Sequence, residues 1–238
     1  MKRLLTHWFD KASNRLALTI LARTDERLLH PNRLLLEEAR RESADYAKAR
    51  MQDAVVLKDQ AEVLEFALSR RSEHGLVLEF GVGAGTSIRR IAAVGGPVHG
   101  FDSFTGLPED WGGRHEGKGH YSNAGRPPAV PANVTLHIGT FAETLPGFLA
   151  ANPDPVAFVH VDCDLYTSTR TVLDLLGDRL VAGSVVVFDE YFNYPSWQRH
   201  EFKAFQEFVA ARRIAYRYLC WGYQQAAVMI ERKGAITP

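Results

Sequence analysis

Two short stretches place carboxylates where chemistry is possible. His160-Val-Asp162-Cys-Asp164-Leu-Tyr166 follows the apolar run Val156-Ala-Phe-Val, and Asp189-Glu190-Tyr191 follows Ser184-Val-Val-Val-Phe. Both apolar runs read as parallel strands buried on both faces, which are near-continuously hydrophobic. Ligands of an open α/β sheet bind outside the carboxyl ends of its strands, so these acids are expected to converge there. Neighbouring carboxylates repel one another unless something cationic lies between them. Three oxygen ligands with open positions, Asp162, Asp189 and Glu190, suit Mg2+, which keeps several waters and accepts substrate oxygens. Such an ion would hold a vicinal diol and lower the pKa of one hydroxyl. Asp164 has a plainer reading, as the cap of a helix that starts near Thr167. His160 alternates with Asp162 on its strand and is expected to be a satisfied core histidine.

The run Leu76-Val-Leu-Glu79-Phe-Gly81-Val-Gly83-Ala-Gly85-Thr86-Ser87 supplies the second piece. Apolar residues lead to an acid and three alternate glycines, and the pattern turns helical from Ser87. This reads as a strand, a tight turn and a helix N-terminus, where glycines let the backbone approach a ligand and free N–H groups point at it. A dinucleotide-binding turn spaces its glycines G-x-G-x-x-G. Here the spacing is G-x-G-x-G, with Glu79 two residues before the first glycine. A carboxylate there suits a cationic amine better than a pyrophosphate, and the methionine end of S-adenosylmethionine presents such an amine; Asp162 has the alternative reading of touching that same amine rather than a metal. Pro97-Val-His-Gly-Phe-Asp102 reads as the next strand, and Asp102 lies 21 residues past Gly81. At that tip, beside Ser103, it is expected to accept both ribose hydroxyls.

These residues need a scaffold that alternates strands and helices. The pattern predicts helices near 58–72, 86–94, 141–151, 168–180 and 198–212. Strands are predicted at 76–80, 97–102, 133–138, 156–161 and 184–188, then near 214–220 and 224–231. The last two, joined by Trp221-Gly222-Tyr223, read as an antiparallel hairpin. The fold class is therefore α/β: a Rossmann-like class I methyltransferase sheet, mostly parallel, with a C-terminal antiparallel hairpin and helices on both faces. Residues 105–131 break the alternation with six glycines, four prolines, His115 and His120. A long loop in a compact domain is usually a functional lid or disordered, and this one follows Asp102 and should hang over the cofactor. The two histidines are expected to be solvated loop residues.

Length and charge narrow the alternatives. At 238 residues the chain can bury a full core, divided into an N-terminal helical arm over 1–55 and a catalytic domain over 56–238. The arm reads as two helices, around 4–22 and 33–53, which serve as a lid or join two copies into a homo-oligomer. Lys+Arg and Asp+Glu are equal at 28 each, so no basic field advertises nucleic acid. Cys163 and Cys220 have no metal-ligand spacing and read as reduced thiols of a cytoplasmic protein. No run reaches the roughly 18 apolar residues that a transmembrane segment needs, and no cleaved signal peptide is expected.

Five blocks carry a family resemblance: Glu79-Phe-Gly81-Val-Gly83, Gly100-Phe-Asp102-Ser-Phe-Thr-Gly-Leu-Pro108, Gly139-Thr-Phe-Ala-Glu-Thr-Leu-Pro146, Asp162-Cys-Asp164-Leu-Tyr166-Thr-Ser168-Thr169 and Asp189-Glu190-Tyr191. In this order, across about residues 56–231, they resemble the macrocin O-methyltransferase family. The resemblance implies S-adenosylmethionine-dependent methyl transfer to sugar hydroxyls of natural products such as macrolides. It implies Mg2+ on Asp162, Asp189 and Glu190, with Asp162 doubling as general base. Glu190 stands where better-known members carry a second Asp. The resemblance also sets Gly139, Thr140 and Phe141 beside the adenine, with Phe141 either stacking on the ring or packing in the core. Two other classes compete. An NAD-dependent oxidoreductase is disfavoured by the glycine spacing and the hairpin; a non-catalytic binding protein would need none of these acids.

Overall fold

The computed structural model describes residues 11, 13–19 and 30–233. Residues 13–19 are helical and exposed, and the rest of the helix expected around 4–22 lies outside the described residues. Helix α1 (Pro31–Arg50) begins with proline in its first turn and His30 as its cap, whose ring accepts from Asn32 N. It buries Ala39, Ser43 and Ala47, a stripe of small residues four apart. The tyrosines around it fix its position. Tyr46 Oη lies 2.6 Å from Tyr218 Oη, which also meets buried Tyr191 Oη at 2.5 Å.

The chain continues through β1 (Val55–Val56), α2 (Gln60–Leu68), β2 (Leu76–Phe80), α3 (Thr86–Ala92), β3 (Val98–Asp102) and β4 (Val134–Ile138). Then come α4 (Phe141–Ala151), β5 (Val156–Val161), α5 (Tyr166–Leu176), β6 (Val185–Phe188), a 3-10 turn (Trp197–Arg199), α6 (Glu201–Arg212), β7 (Ile214–Trp221) and β8 (Ala226–Lys233). The sheet order is β1-β7-β8-β6-β5-β2-β3-β4, with β8 antiparallel to both β6 and β7 and every other pair parallel. The predicted α/β class and terminal hairpin are what the structure has. Strands β2, β5 and β6 are buried along their whole length, as their apolar sequences require. From β2 the chain runs outward through β3 and β4, then returns to lay β5 on the other side of β2. This reversal opens a crevice at the carboxyl ends of β2 and β5.

Three local readings need correction. Strand β1, parallel to β7 through Val55 opposite Cys220, was not expected, because two residues leave no periodic pattern. Helix α5 starts at Tyr166 with Leu165 as a cap that makes no side-chain bond, so Asp164 does not cap it. Residues 105–131 hold no strand or helix, yet they are folded. Leu107 N donates to His120 O at 3.0 Å and Trp111 N to Glu116 O at 3.0 Å, over buried Phe104, Leu107 and Trp111. Arg114 pairs with buried Glu116 at 2.9 Å and stacks on Trp111. Among the described residues no helix is long and apolar enough to cross a membrane.

Candidate active site

A cavity of about 770 Å³ opens at the crevice between β2 and β5. Its floor is the glycine turn from Gly81 to Ala84 with Thr86 and Ser87, and Asp102, Ser103 and Gly139 to Ala142 form one side. Asp162, Cys163, Asp164 and Glu190 form the other side, Gln60 reaches in, and Tyr121 to Asn123 cover it from the long loop. Asn123 Nδ2 bonds Gly83 O at 3.2 Å, so the cover is fastened to the floor.

Most of the sequence-predicted cofactor residues meet here, with informative exceptions. Asp102 faces the cavity, but its Oδ2 accepts from Val82 N and Gly83 N at 2.9 and 2.8 Å, while Oδ1 accepts from Phe104 N at 2.7 Å. It braces the glycine turn and has only its remaining lone pairs for a ribose. Glu79 lies beneath the wall, fully buried, with Oε1 2.8 Å from His160 Nδ1. Burial pushes its pKa up, and His160 partly offsets this. Gly85 also sits behind the wall, against Pro128 and Arg89. Thr140 forms a capping box with Glu143 at the start of α4, which fixes the turn after β4. Phe141 is half-buried: it lines the cavity and sets its ring edge-on to Phe80.

The acids crowd at one end. Ligand atoms of Asp162, Asp164 and Glu190 lie within 4.8 Å of one another, and so do those of His160, Asp162 and Asp189. The predicted trio therefore spans two overlapping groups that share Asp162. Asp164 joins the first with a left-handed backbone at φ 63°. Burial, then repulsion from Asp189, lifts Asp162 and Glu190 well above the usual carboxylate range and Asp164 to about 7. Asp189 is the exception: burial would raise it, but His160 and Gln60 hold it below its ordinary value. His160 is fully buried, as expected of a core histidine, yet its Nε2 has no hydrogen-bond partner and lies 3.7 Å from Asp189. Burial would lower this ring's pKa, but Asp189 and Glu79 together hold it well above the usual histidine value. Glu190 Oε2 is also buried without a partner. Carboxylates crowded this closely, one with an orphaned oxygen, fit a divalent cation: Asp162, Asp164 and Glu190 are an all-oxygen set of the kind Mg2+ takes.

Sequence reasoning missed two residues. Glu201, fully buried at the start of α6, accepts from Cys163 N at 3.4 Å and Glu190 N at 3.1 Å, tying the loops after β5 and β6 together. Gln60 bonds Asp189 at 2.6 Å from the start of α2. An acid in a first helical turn is a common pattern, and nothing in the sequence shows that this one turns inward. His115 and His120 are exposed and belong to neither group.

Residues 78–191 match the family model described as a methyltransferase domain. No curated protein matches the chain by sequence. Among solved structures it is similar to CalS11, a calicheamicin methyltransferase, at 26% identity and a TM-score of 0.57, covering 71% of this chain and 76% of that one. An apo structure of CalS11, described as a TDP-rhamnose 3'-O-methyltransferase of calicheamicin biosynthesis, is 26% identical with a TM-score of 0.51 over the same shares. The O-methyltransferase NovP shares the fold at 23% identity and a TM-score of 0.54, covering 72% and 78%. Fold and family model together define a Rossmann-like methyltransferase. The enzyme is an S-adenosylmethionine-dependent O-methyltransferase.

Two glycines of the turn should separate folding from binding. A Cβ on Gly81, at φ 89°, would fall 1.6 Å from Asp162 O, so Gly81→Ala should destabilise the fold by about 3 kcal/mol in urea unfolding. Gly83 has open space before it but sits at φ 50°, so Gly83→Val should cost about 1–2 kcal/mol of backbone strain, keep the sheet, fill the cavity, and weaken S-adenosylhomocysteine roughly 100-fold by calorimetry. Unchanged affinity in the second variant would contradict this placement of the cofactor.

Proposed function

We propose that the enzyme methylates a hydroxyl of a sugar or glycosylated small molecule in natural product biosynthesis, with Mg2+ assisting. The observation that carries this reading is the set of acids at one end of a cavity whose other end is the glycine turn. CalS11, described as acting on a TDP-linked sugar, supports a carbohydrate acceptor. So does the resemblance of the five blocks to macrocin O-methyltransferases.

The methionine part of S-adenosylmethionine rests on Gly81, Gly83, Thr86 and Ser87, with Glu79 and Gly85 shaping the turn from behind. The ribose lies by Asp102 and Ser103, and the adenine by Gly139, Thr140 and Phe141. Asp162, Asp189 and Glu190 would hold the ion, with Asp164 beside Asp162 and Glu190. When bound, the ion supplies positive charge that lowers the pKa of an acceptor hydroxyl. Asp162 takes the hydroxyl proton as the oxygen attacks the methyl carbon. The O–CH3 bond forms as the C–S bond breaks, its electron pair goes to sulfur, and S-adenosylhomocysteine leaves. The protein's part is orientation and proton acceptance, since the cofactor brings the electrophile.

Residues 1–55 act as an arm that pairs two copies. Leu34 and Leu35 on α1 are 69% and 50% exposed, which supports an apolar contact there. The protein works in the cytoplasm, consistent with its two free, buried thiols.

Residues 105–131 act as the lid, opening for exchange and closing over both substrates. Limited proteolysis should nick this segment in the free enzyme and be suppressed by S-adenosylhomocysteine with an acceptor. Cleavage unaffected by ligands would contradict a lid. Asp189→Ala should cost roughly 10²–10⁴-fold in rate while leaving cofactor affinity unchanged. A chelator should mimic that loss, and added Mg2+ should restore the wild type but not the variant. Full turnover in excess chelator would rule the ion out.

A further inference from the structure

Gln60 is the first residue of α2, and its side chain reaches the cavity wall. Its Nε2 donates to Asp189 Oδ1 at 2.6 Å. His160 Nε2 lies 3.7 Å from the same oxygen, and His160 is itself held by Glu79 at 2.8 Å. Gln60 thus holds one oxygen of Asp189, and Asp189 belongs with Asp162 and His160 to one of the two groups whose ligand atoms lie within 4.8 Å of one another. A carboxylate fixed at one oxygen cannot swing, so it offers a single ligand atom in one direction.

The anchoring of Gln60 does not depend on the cavity. Asp59 caps α2 by accepting from Glu62 N at 3.1 Å, and Glu62 Oε2 accepts from Lys58 N at 2.8 Å. Just before them, Leu57 N bonds Trp221 O at 2.8 Å, continuing the pairing of β1 with β7. The segment joining the N-terminal arm to the sheet therefore sets where the Gln60 amide lies. Groups that orient a metal ligand typically change metal affinity 10–100-fold when removed.

We propose that Gln60 is a positioning residue that fixes Asp189 in the orientation that binds the divalent cation, an inference that rests on the Mg2+ reading above. Gln60→Met keeps the length of the side chain and removes the donor. Gln60→Asn keeps the amide but is one methylene too short to reach.

Mn2+, a paramagnetic stand-in for Mg2+, can be titrated by electron paramagnetic resonance with S-adenosylhomocysteine present. Both variants should weaken Mn2+ by roughly 10–100-fold. S-adenosylhomocysteine affinity should stay within about twofold and the melting temperature close to wild type. A purely structural Gln60 would shift melting and leave Mn2+ affinity alone, which would overturn the inference. A parallel loss of S-adenosylhomocysteine binding would also overturn it, because the cavity wall itself would then have moved. If the wild type binds no Mn2+, the metal reading fails and this inference with it. If the wild type binds Mn2+ and both variants bind it equally well, only the role of Gln60 fails.

Discussion

The site depends on one electrostatic constraint: carboxylates packed together at the ends of two neighbouring strands, β5 and β6. Two charges 4.8 Å apart repel by roughly 3 kcal/mol at an effective dielectric of about 20. Several such pairs at once would consume much of a typical domain's net stability. Without a cation, protonation relieves the strain, and Asp162, Asp164, Glu190 and Glu201 all sit above their ordinary pKa. The folded form then holds protons that the unfolded chain would release. These groups therefore cost stability as pH rises from about 4 toward the values of about 7 and 8 that Asp164 and Glu201 reach. In the proposed reading, a divalent ion would take the place of the protons on Asp162, Asp164 and Glu190 and remove that part of the cost.

The scaffold is arranged to bear this load. Glu201 spans the backbones of Cys163 and Glu190, so the loops after β5 and β6 cannot separate. Asp102 does the same for the glycine turn, accepting from Val82 and Gly83. Asp189 is held by the Gln60 amide, and Glu190 by Glu201 at its backbone N–H. The glycine-turn end of the cavity is shaped by backbone and the carboxylate end by charge. That division suits a reaction in which one partner carries its own electrophile.

The strand-and-helix frame was legible because buried parallel strands leave continuous apolar runs, as at Val156–Val161, and because the glycines of the turn stand out. The convergence of Asp162 with Glu190 also followed from the sequence, since it needs only the rule that strand ends share one edge. What was not legible depends on side-chain direction. Asp164 looked like a helix cap, but its left-handed backbone turns it toward the cluster. Glu79 reads in sequence as a ligand for an amine, and the structure adds what sequence does not show, its burial against His160 at 2.8 Å. Gln60 is 129 residues from Asp189 in sequence, and no local pattern announces such a bond.

Anomalous diffraction from a crystal grown with Mn2+ and S-adenosylhomocysteine tests the central claim most directly. The account predicts one strong peak within coordination distance of Asp162, Asp189 and Glu190, with S-adenosylhomocysteine over the glycine turn. No peak at saturating Mn2+, with those carboxylates still crowded together, would contradict it.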